Sequence, residues 1–466
     1  VKIGISYVSI DNARENLQKE TENKSFDSIY KETYKEWNNL LSRIKVEGGS
    51  EDDKIIFYTA LYHTLIHPNT LNDFNGEYPE INTGKIGKTE DTRYTVFSLW
   101  DTYRNLHQLM SLVYPQQQSD MIKSMLDMYD ENGWLPKWEL NSTETFTMVG
   151  DPASIVITDT YLKGIQDFDI KKAYKAMLKS ADQIENNPLR PKLKNYIEKG
   201  YVTANNKGSV SKTQEYNVAD YSIALLAKEL GKKEDFERFK KRSISYRKLF
   251  DKNINLLRPR NSDESWYEPF NPEAGANFTN NVGFIEGNAW QYAFMIPHDI
   301  NGLKKLMGGN KAFTNQLQKV FDTNQFDMAN EPDIAYPYLF NYVKGKEWRS
   351  QKLVKKLVRK YFQNKPDGLP GNDDTGTMSA WLVYSMMGIY PISPGDPKYT
   401  ITTPMFDKIT IQLDSKYYKN KDLVIERVEN NKGKISKILL DKKPHKNYFI
   451  THDNLVNGNN LQIILK

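Results

Sequence analysis

The spacing of the apolar residues changes near residue 392 of this 466-residue chain, and that change constrains the fold more than any other feature. Upstream, apolar side chains recur every three or four positions, which is typical of amphipathic α-helices. The first such stripe comprises Phe26, Ile29, Tyr30, Tyr34, Trp37, Leu40, Leu41 and Ile44. Downstream the apolar residues alternate, as in Ile409, Ile411 and Leu413, which indicates strands. We therefore expect a mainly α-helical domain over residues 21–392 and a small C-terminal antiparallel β-domain over residues 393–466.

The first ten residues also alternate, with Val1, Ile3, Ile5 and Tyr7 separated by small or polar residues. This pattern predicts a half-buried strand. Because a strand needs a neighbour to pair with, we expect residues 1–20 to hold the residual strand of an upstream β-domain and the linker that follows it.

Composition excludes several kinds of site. The chain has no cysteine, which removes disulfides, thiol nucleophiles and cysteine-ligated metals. Its six histidines lack the H-E-x-x-H and cysteine-containing patterns of zinc sites, so a hard cation bound by oxygen atoms is the easiest metal to accommodate. The net charge of +5 is spread along the chain, so we expect no nucleic-acid partner. No apolar run approaches the ~20 residues of a membrane span.

Aromatic residues make up 12% of the chain, which is consistent with a large core and also with sugar binding. Residues 97–104 illustrate both interpretations. Asp101 and Arg104 are three positions apart, so they are expected to form a local ion pair on one helix face. Alternatively, Trp100 is a stacking platform for a sugar ring and Asp101 accepts hydrogen bonds from its hydroxyl groups.

A second tryptophan-rich segment covers residues 133–138. Trp134 and Trp138 flank a proline there, and Asp151 follows further along the chain. A rigid packed loop and the wall of a binding pocket are both consistent with this pattern.

Glu286 lies between Phe284 and Trp290, in apolar surroundings. Removal from water would raise the pKa of this carboxyl group toward neutrality, so that it could give a proton to a leaving oxygen. The competing interpretation is that Glu286 caps a helix that begins near Asn288.

Asn372, Asp373 and Asp374 occupy a glycine-rich loop that leads into an apolar helix from Met378. One aspartate is explained as the cap of that helix, but two adjacent ones are not. We expect the amides at the helix N-terminus to lower the pKa of Asp374 and keep it ionised, as a general base requires. Glu286 and Asp374 would then form an acid/base pair.

Asn330 and Glu331 precede a proline, where side-chain and backbone oxygen atoms could bind Ca²⁺. A capped turn is the commoner outcome for such a sequence.

Taken in order, these segments resemble the calcium-dependent exo-α-mannosidases of glycoside hydrolase family 92. The matching stretches are residues 57–63, 97–102, 133–138, 286–292, 330–332, 368–376, 378–381 and 406–408. They are spread over nearly the whole chain, so the resemblance does not depend on one short motif.

The resemblance implies an (α/α)6 toroid as the catalytic domain, preceded by an upstream β-sandwich. It implies calcium-assisted, inverting hydrolysis of terminal α-linked mannose in glycans by a secreted, periplasmic or cell-surface bacterial enzyme. Two alternatives remain open. One is another helical-toroid carbohydrate enzyme, such as a glucosidase or lyase, and the other is a non-catalytic glycan-binding protein.

Carried over by position, the family pattern makes Glu286 the general acid and Asp374 the base that acts on water, supported by Asn372 or Asp373. Asn330 and Glu331 are the implied calcium ligands. The expected substrate contacts are Trp100, Asp101, Trp134, Trp138, Asp151, Trp290, Asn330 and Glu331.

Overall fold

The computed structural model describes residues 1–275, 281–429 and 433–466, and most of its regular structure is helical. The α-helices are α1 (Ile10–Thr21), α2 (Phe26–Leu41), α3 (Glu51–His63), α4 (Leu99–Thr102), α5 (Leu106–Val113), α6 (Pro115–Asn132), α7 (Pro152–Leu162), α8 (Ile170–Asp182), α9 (Leu193–Lys199), α10 (Ser209–Glu229), α11 (Lys233–Arg242), α12 (Ile300–Leu306), α13 (Asn310–Asp322), α14 (Glu347–Tyr361), α15 (Thr377–Met387) and α16 (His452–Asn457). Short 3₁₀ helices cover Ser245–Leu249, Pro297–Asp299, Glu331–Asp333 and Tyr336–Tyr342. Within these described ranges, no helix combines the length and hydropathy needed to cross a membrane.

Most strands in the first 390 residues are very short. The strands are β1 (Ile44–Glu47), β2 (Asn69–Thr70), β3 (Glu77–Pro79), β4 (Ile86–Lys88), β5 (Tyr94–Thr95), β6 (Phe97–Ser98), β7 (Trp138–Leu140), β8 (Thr143–Glu144), β9 (Phe250–Asp251), β10 (Leu256–Leu257), β11 (Ile389–Pro391), β12 (Lys398–Ile401), β13 (Lys408–Gln412), β14 (Asp422–Glu429), β15 (Ile435–Leu440), β16 (Lys443–His445), β17 (Phe449–Thr451) and β18 (Asn460–Leu465). The predicted change from helices to strands near residue 392 is confirmed.

One large hydrophobic core runs through the helical part and into the C-terminal strands. Every residue of α15 is buried, and this helix packs against α3 and α5. The long helix α10 packs in the same way against α7 and α11. Helices buried on all sides are fixed in position by their neighbours, so the loops attached to α10 and α15 start from rigid supports.

The C-terminal strands form a six-stranded sheet in the order β1-β13-β14-β18-β15-β16. In β18, buried Leu461, Ile463 and Leu465 alternate with less buried residues, as the sequence pattern predicts. Two features differ from the expected antiparallel β-domain. Strand β14 pairs with β18 in parallel, and β1 joins the sheet from the region assigned to the helical domain.

The strand predicted for the first ten residues is not formed, because no neighbouring strand pairs with residues 1–9 in the part of the chain that the structure describes. Val1, Ile3 and Ile5 are instead exposed, and α1 begins at Ile10 after its cap Ser9. The first apolar stripe is also shorter than predicted. Its last member, Ile44, lies in β1, and the helix α2 ends at Leu41.

Candidate active site

Glu286 and Asp374, the predicted acid and base, both have a left-handed backbone, with φ of 46° at each residue. Thr375 follows Asp374 with φ of 52°. Residues other than glycine rarely adopt this region, because it costs roughly 1–3 kcal/mol at each position. Such a conformation persists only where contacts with the surrounding structure impose it. The two carboxyl groups therefore stand on loops whose shape is set by neighbouring contacts rather than by local preference.

Three hydrogen bonds hold the loop around Glu286. The Nδ2 of Asn330 donates to the carbonyl oxygen of Glu286 at 2.6 Å. One residue earlier, the amide of Ile285 donates to Ser211 Oγ at 3.0 Å, and the hydroxyl of Tyr292 donates to the Ile285 carbonyl at 2.6 Å. Asn330 thus contacts the peptide of the predicted acid directly.

The loop before α15 is held by Asp373. Its Oδ1 accepts a hydrogen bond at 2.8 Å from the amide of Ser379 in the first turn of that helix. The cap residue is Gly376, with φ of 93°, and of the two aspartates considered as caps it is Asp373, not Asp374, whose side chain takes a helix amide. Because Asp373 takes the free amide, the carboxyl group of Asp374 stays available to the site.

Asn372 and Asp373, the two residues considered as supports for the base, differ in their surroundings. Asn372 is exposed. Asp373 Oδ2 lies 4.0 Å from His63 Nδ1, and that imidazole nitrogen is 3.3 Å from Ser379 Oγ. The geometry therefore favours Asp373, backed by His63, as the residue that positions the Asp374 loop.

Burial raises the pKa of Glu286, and the charge of Asp374 raises it further. This is the direction predicted for the acid. Burial also raises the pKa of Asp374, so the predicted lowering by helix amides is wrong. The cause is that those amides bind the neighbouring Asp373 instead. In the described residues no hydrogen bond joins Glu286 to Asp374, and the two groups influence each other through their charges.

Glu331 affects the pKa of Asp374. Its side chain is only 2% exposed, and it donates a hydrogen bond to the carboxyl group of Asp374. Burial raises the pKa of Glu331 well above its usual value, and the charges of Asp101 and Asp374 add to this. The same hydrogen bond lowers the pKa of Asp374. Burial and this hydrogen bond therefore favour a protonated Glu331 beside an ionised Asp374.

Asp101 completes a group of four carboxyl groups with Glu286, Glu331 and Asp374. It is buried and accepts a hydrogen bond from the hydroxyl of Ser98. Burial raises its pKa well above the usual value, and the charges of Asp374 and Glu286 act in the same direction. Asp101, a predicted substrate contact, therefore lies within the electrostatic reach of the predicted acid and base.

Arg104 is the nearby cation. Its ion pair is with Glu215 at 3.0 Å, so the predicted local pair with Asp101 is not formed. Its charge still lowers the pKa of both Asp101 and Glu331. Tyr103 donates a second hydrogen bond to Glu215, also at 3.0 Å. Sequence reasoning missed Glu215, although a carboxylate in the middle of a long, largely buried helix was a usable signal.

Three predicted substrate contacts have side chains that are enclosed by other parts of the protein. Trp100 is 0% exposed and Trp290 is 5% exposed, so neither ring offers a face to a sugar. Asp151 forms an ion pair at 2.9 Å with the fully buried Arg190 and accepts a hydrogen bond from Ser180 at 2.5 Å. These side chains stabilise the interior.

The two remaining tryptophans differ in position. Trp134 is half-buried, with Lys179 Nζ 4.4 Å from its ring centroid. Trp138 packs against the small cluster that contains Trp100 and Ile285, next to Glu286. Trp138 is therefore the tryptophan best placed to contact a substrate near the predicted acid.

Asn330 and Glu331, the predicted calcium ligands, are both buried beside the carboxyl groups. The Oε1 atom of Glu331 has no hydrogen-bond partner among the described residues. Within the same residues, no three histidine, aspartate or glutamate side chains form a metal cage. These oxygen donors suit Ca²⁺ if backbone carbonyls, water or substrate complete its coordination.

Comparison with known proteins places this site in a family. The sequence model described as "Glycosyl hydrolase family 92 catalytic domain" matches residues 12–466. The solved family GH92 α-mannosidase BT3965 of Bacteroides thetaiotaomicron, in complex with mannoimidazole, has a TM-score of 0.92 and 32% identity, covering 99% of this chain and 62% of that one. The family GH92 inverting mannosidase BT2199 from the same organism has a TM-score of 0.90 and 27% identity, covering 99% and 65%.

A curated relative, named "Uncharacterized secreted glycosidase", comes from Arthroderma benhamiae. It is 27% identical over 516 residues, which cover 100% of this chain and 60% of the relative. The chain thus spans less than two thirds of the length of these relatives.

Proposed function

Because this chain belongs to glycosyl hydrolase family 92, we propose that it hydrolyses terminal α-linked mannose at the non-reducing ends of glycans, with inversion. The single observation that carries the proposal is the pairing of two different carboxyl environments. Glu286 has a raised pKa and, among the residues that the structure describes, no hydrogen-bond donor to its carboxyl group, whereas Asp374 receives a hydrogen bond from Glu331. The printed names of the related α-mannosidase and inverting mannosidase support the choice of substrate and stereochemistry.

In the proposed mechanism Glu286 is the general acid. Its raised pKa keeps a proton on the carboxyl group at a pH where an ordinary glutamate is ionised. That proton passes to the glycosidic oxygen as its bond to the anomeric carbon breaks. Asn330 fixes the orientation of this loop through its hydrogen bond to the Glu286 carbonyl.

Asp374 is the general base. It removes a proton from a water molecule that attacks the anomeric carbon from the face opposite the leaving group. Glu331 keeps Asp374 ionised by holding the shared proton itself. An inverting enzyme needs its two carboxyl groups about 6.5–9.5 Å apart, so that water fits between base and sugar. We expect Glu286 and Asp374 to be separated in this way.

Ca²⁺ is part of the proposal. Asn330 and Glu331 would hold it through their side-chain oxygen atoms, and the unpartnered Oε1 of Glu331 supports this choice. When bound, Ca²⁺ would supply positive charge for substrate hydroxyl groups beside several buried carboxyl groups. Bound to Oε1 of the protonated Glu331, it would also attract the negative charge of Asp374.

The remaining parts of the proposal concern the whole protein. We propose an (α/α)6 toroid over residues 21–392, a β-domain over 393–466, and a partnership of residues 1–20 with an upstream β-sandwich. We also propose export from a bacterial cell, to the periplasm, cell surface or medium. The name of the fungal relative, a secreted glycosidase, supports export.

Proton NMR of a methyl or aryl α-mannoside during turnover tests the function, with and without a chelator. We expect β-mannose as the first-formed anomer and a lower rate with the chelator. Release of α-mannose first, or turnover of α-glucosides in preference, would contradict the assignment. The protein used should include any upstream domain, since residues from it could complete the pocket.

A further inference from the structure

A second feature lies between α14 and the C-terminal sheet and shares no residue with the carboxyl cluster. It is a groove of about 710 Å³ whose lining includes Trp348, Lys352, Lys355, Arg359, Arg427 and Lys434. Two carboxylates reduce the positive charge there, because Asp53 pairs with Arg359 and Asp407 pairs with Arg427. In the described part of the chain, five cationic side chains therefore face two carboxylates.

The helical spacing makes one wall of the groove continuous. Trp348, Lys352, Lys355 and Arg359 follow one another at intervals of four, three and four residues in α14. Residues at these intervals lie on the same face of a helix. At about 1.5 Å per residue the row extends over roughly 16 Å, which is long enough for several sugar units.

The two central lysines of this row are the strongest candidates for ligand contacts. Lys352 and Lys355 are exposed, and neither has an ion pair or side-chain hydrogen bond within the described residues. By contrast, Arg359 is held by Asp53 on α3. Two unpaired ammonium groups about one helical turn apart favour a ligand that carries more than one negative charge.

An aromatic surface lies at one end of the row. Lys434 Nζ is 4.6 Å from the ring centroid of Trp348, from the opposite wall of the groove. Lys434 thus covers one face of this indole ring, and a charged group that draws the ammonium aside would let the apolar face of its pyranose pack there. This combination favours a charged sugar over a small inorganic anion.

We propose that this basic groove binds an anionic stretch of the glycan, one that bears phosphate, sulfate or uronate groups, at a distance from the site of hydrolysis. The inference rests on the proposed function for its choice of a glycan. A nucleic acid is a poorer match, because single strands bind through a series of aromatic platforms and the groove wall offers one.

Binding should be measured by calorimetry with the full chain carrying Glu286→Gln, so that no substrate is consumed. The probes are a sulfated heparin oligosaccharide, an oligogalacturonate, a phosphorylated mannan oligosaccharide and an uncharged mannan oligosaccharide of similar length. We expect at least one charged probe to bind at least about tenfold more tightly than the uncharged one. The rank order among the charged probes identifies the anionic group.

Two matched double variants test the location. Lys352→Gln with Lys355→Gln should weaken binding of the charged probe by at least about tenfold. Lys356→Gln with Lys360→Gln removes the same charge from α14 outside the groove and should change the affinity less than about twofold. Equal losses in the two variants would overturn the inference, because they would indicate general attraction to positive charge. Equally tight binding of single-stranded DNA would also overturn it.

The outcome is separable from that of the proposed function. The groove variant should hydrolyse an uncharged α-mannoside at the parent rate, since no groove residue contacts the carboxyl cluster. Charged-probe binding in a protein without mannosidase activity would leave the groove in place and refute the function. Mannosidase activity without preferential binding of any charged probe would refute the groove.

Discussion

The carboxyl groups of Glu331 and Asp374 share a hydrogen bond that favours a proton on Glu331 and a negative charge on Asp374. Two neighbouring carboxyl groups cannot both ionise readily in a buried site, so one must hold a proton. The more deeply buried Glu331 does so, and Asp374 is left ionised without help from the helix behind it. The hydrogen bond from Glu331 thus explains how Asp374 can stay ionised, as a general base must, among four buried carboxyl groups.

Replacing Glu331 tests the relationship directly. In Glu331→Ala the hydrogen bond to Asp374 is lost, so the pKa of Asp374 rises and the acidic limb of kcat/KM moves to higher pH. Glu331→Gln still offers an N–H donor, so we expect it to keep more activity and a limb closer to that of the parent. The measurement is kcat/KM against pH for all three proteins. Identical limbs in the parent and the alanine variant would contradict the assignment.

Replacing the acid should affect substrates unequally. For Glu286→Gln we expect kcat to fall by about 10²–10⁴ for an alkyl α-mannoside, whose leaving oxygen needs a proton. The loss should be much smaller for a dinitrophenyl α-mannoside, because that leaving group departs without one. Comparable losses for both substrates would argue against Glu286 as the acid. A melting temperature near that of the parent serves as the control for folding.

Replacing the base should affect all substrates alike. In Asp374→Asn the attacking water loses its proton acceptor, so we expect kcat to fall by about 10²–10⁴ whatever the leaving group. Added azide, a nucleophile that needs no base, should restore part of the turnover of an activated α-mannoside. Asp373→Asn is the matched comparison on the same loop. Parent-like rates in Asp374→Asn would exclude the proposed base.

Calcium should stabilise the folded protein as well as support activity. If Asn330 and Glu331 bind it, added Ca²⁺ raises the melting temperature, because a ligand that binds only the folded state stabilises it. Mg²⁺ at the same concentration is the control, since it prefers a more regular octahedral site. We expect Glu331→Ala to reduce the shift. A melting temperature that is insensitive to Ca²⁺ and chelator would contradict the metal site.

His107 should make stability depend on pH. Burial lowers its pKa to about 4, against about 6.5 for an unfolded histidine. Between these values the unfolded chain binds a proton that the folded chain does not, so the free energy of unfolding falls as pH drops from 6.5 toward 4. The loss approaches about 3 kcal/mol at about 1.4 kcal/mol per pH unit.

His107→Gln should remove that part of the slope in denaturant titrations at pH 7, 6 and 5. The variant keeps a polar group opposite Gln118 and Thr102, the hydrogen-bond partners of the imidazole. His445→Gln controls for the loss of a histidine outside the core. A slope in His107→Gln equal to that of the parent would show that other groups carry the pH dependence.

Much of the fold could be predicted because periodicity reports which face of an element is buried. The alternation of Leu461, Ile463 and Leu465 therefore predicted β18 correctly. Pairing is different, since it depends on partners that the local pattern does not name. The sequence of a single strand therefore could not predict that β14 pairs with β18 in parallel. It also could not predict that β1 joins the sheet by pairing with β13.

The site was predicted in part for a similar reason. Glu286 and Asp374 stood out because carboxylates in glycine-rich or aromatic loops are unusual, and the structure brings them together. Trp100 looked equally suited to a sugar, but only tertiary packing shows that its ring is fully buried. The direction of the pKa shift at Asp374 was also missed, because it depends on which of two adjacent aspartates takes the helix amide.

The position of β1 has a consequence for how the protein is made. The side chain of Glu47, the last residue of β1, accepts a hydrogen bond from the ammonium group of Lys408 in β13. The two residues are 361 positions apart in the sequence. During translation β1 must wait, unpaired, until nearly all of the helical region has left the ribosome. During that interval the apolar face of β1 is exposed to chaperones and to non-native contacts with other segments. Synonymous codon changes that slow elongation between the two strands should therefore lower the yield of correctly folded protein.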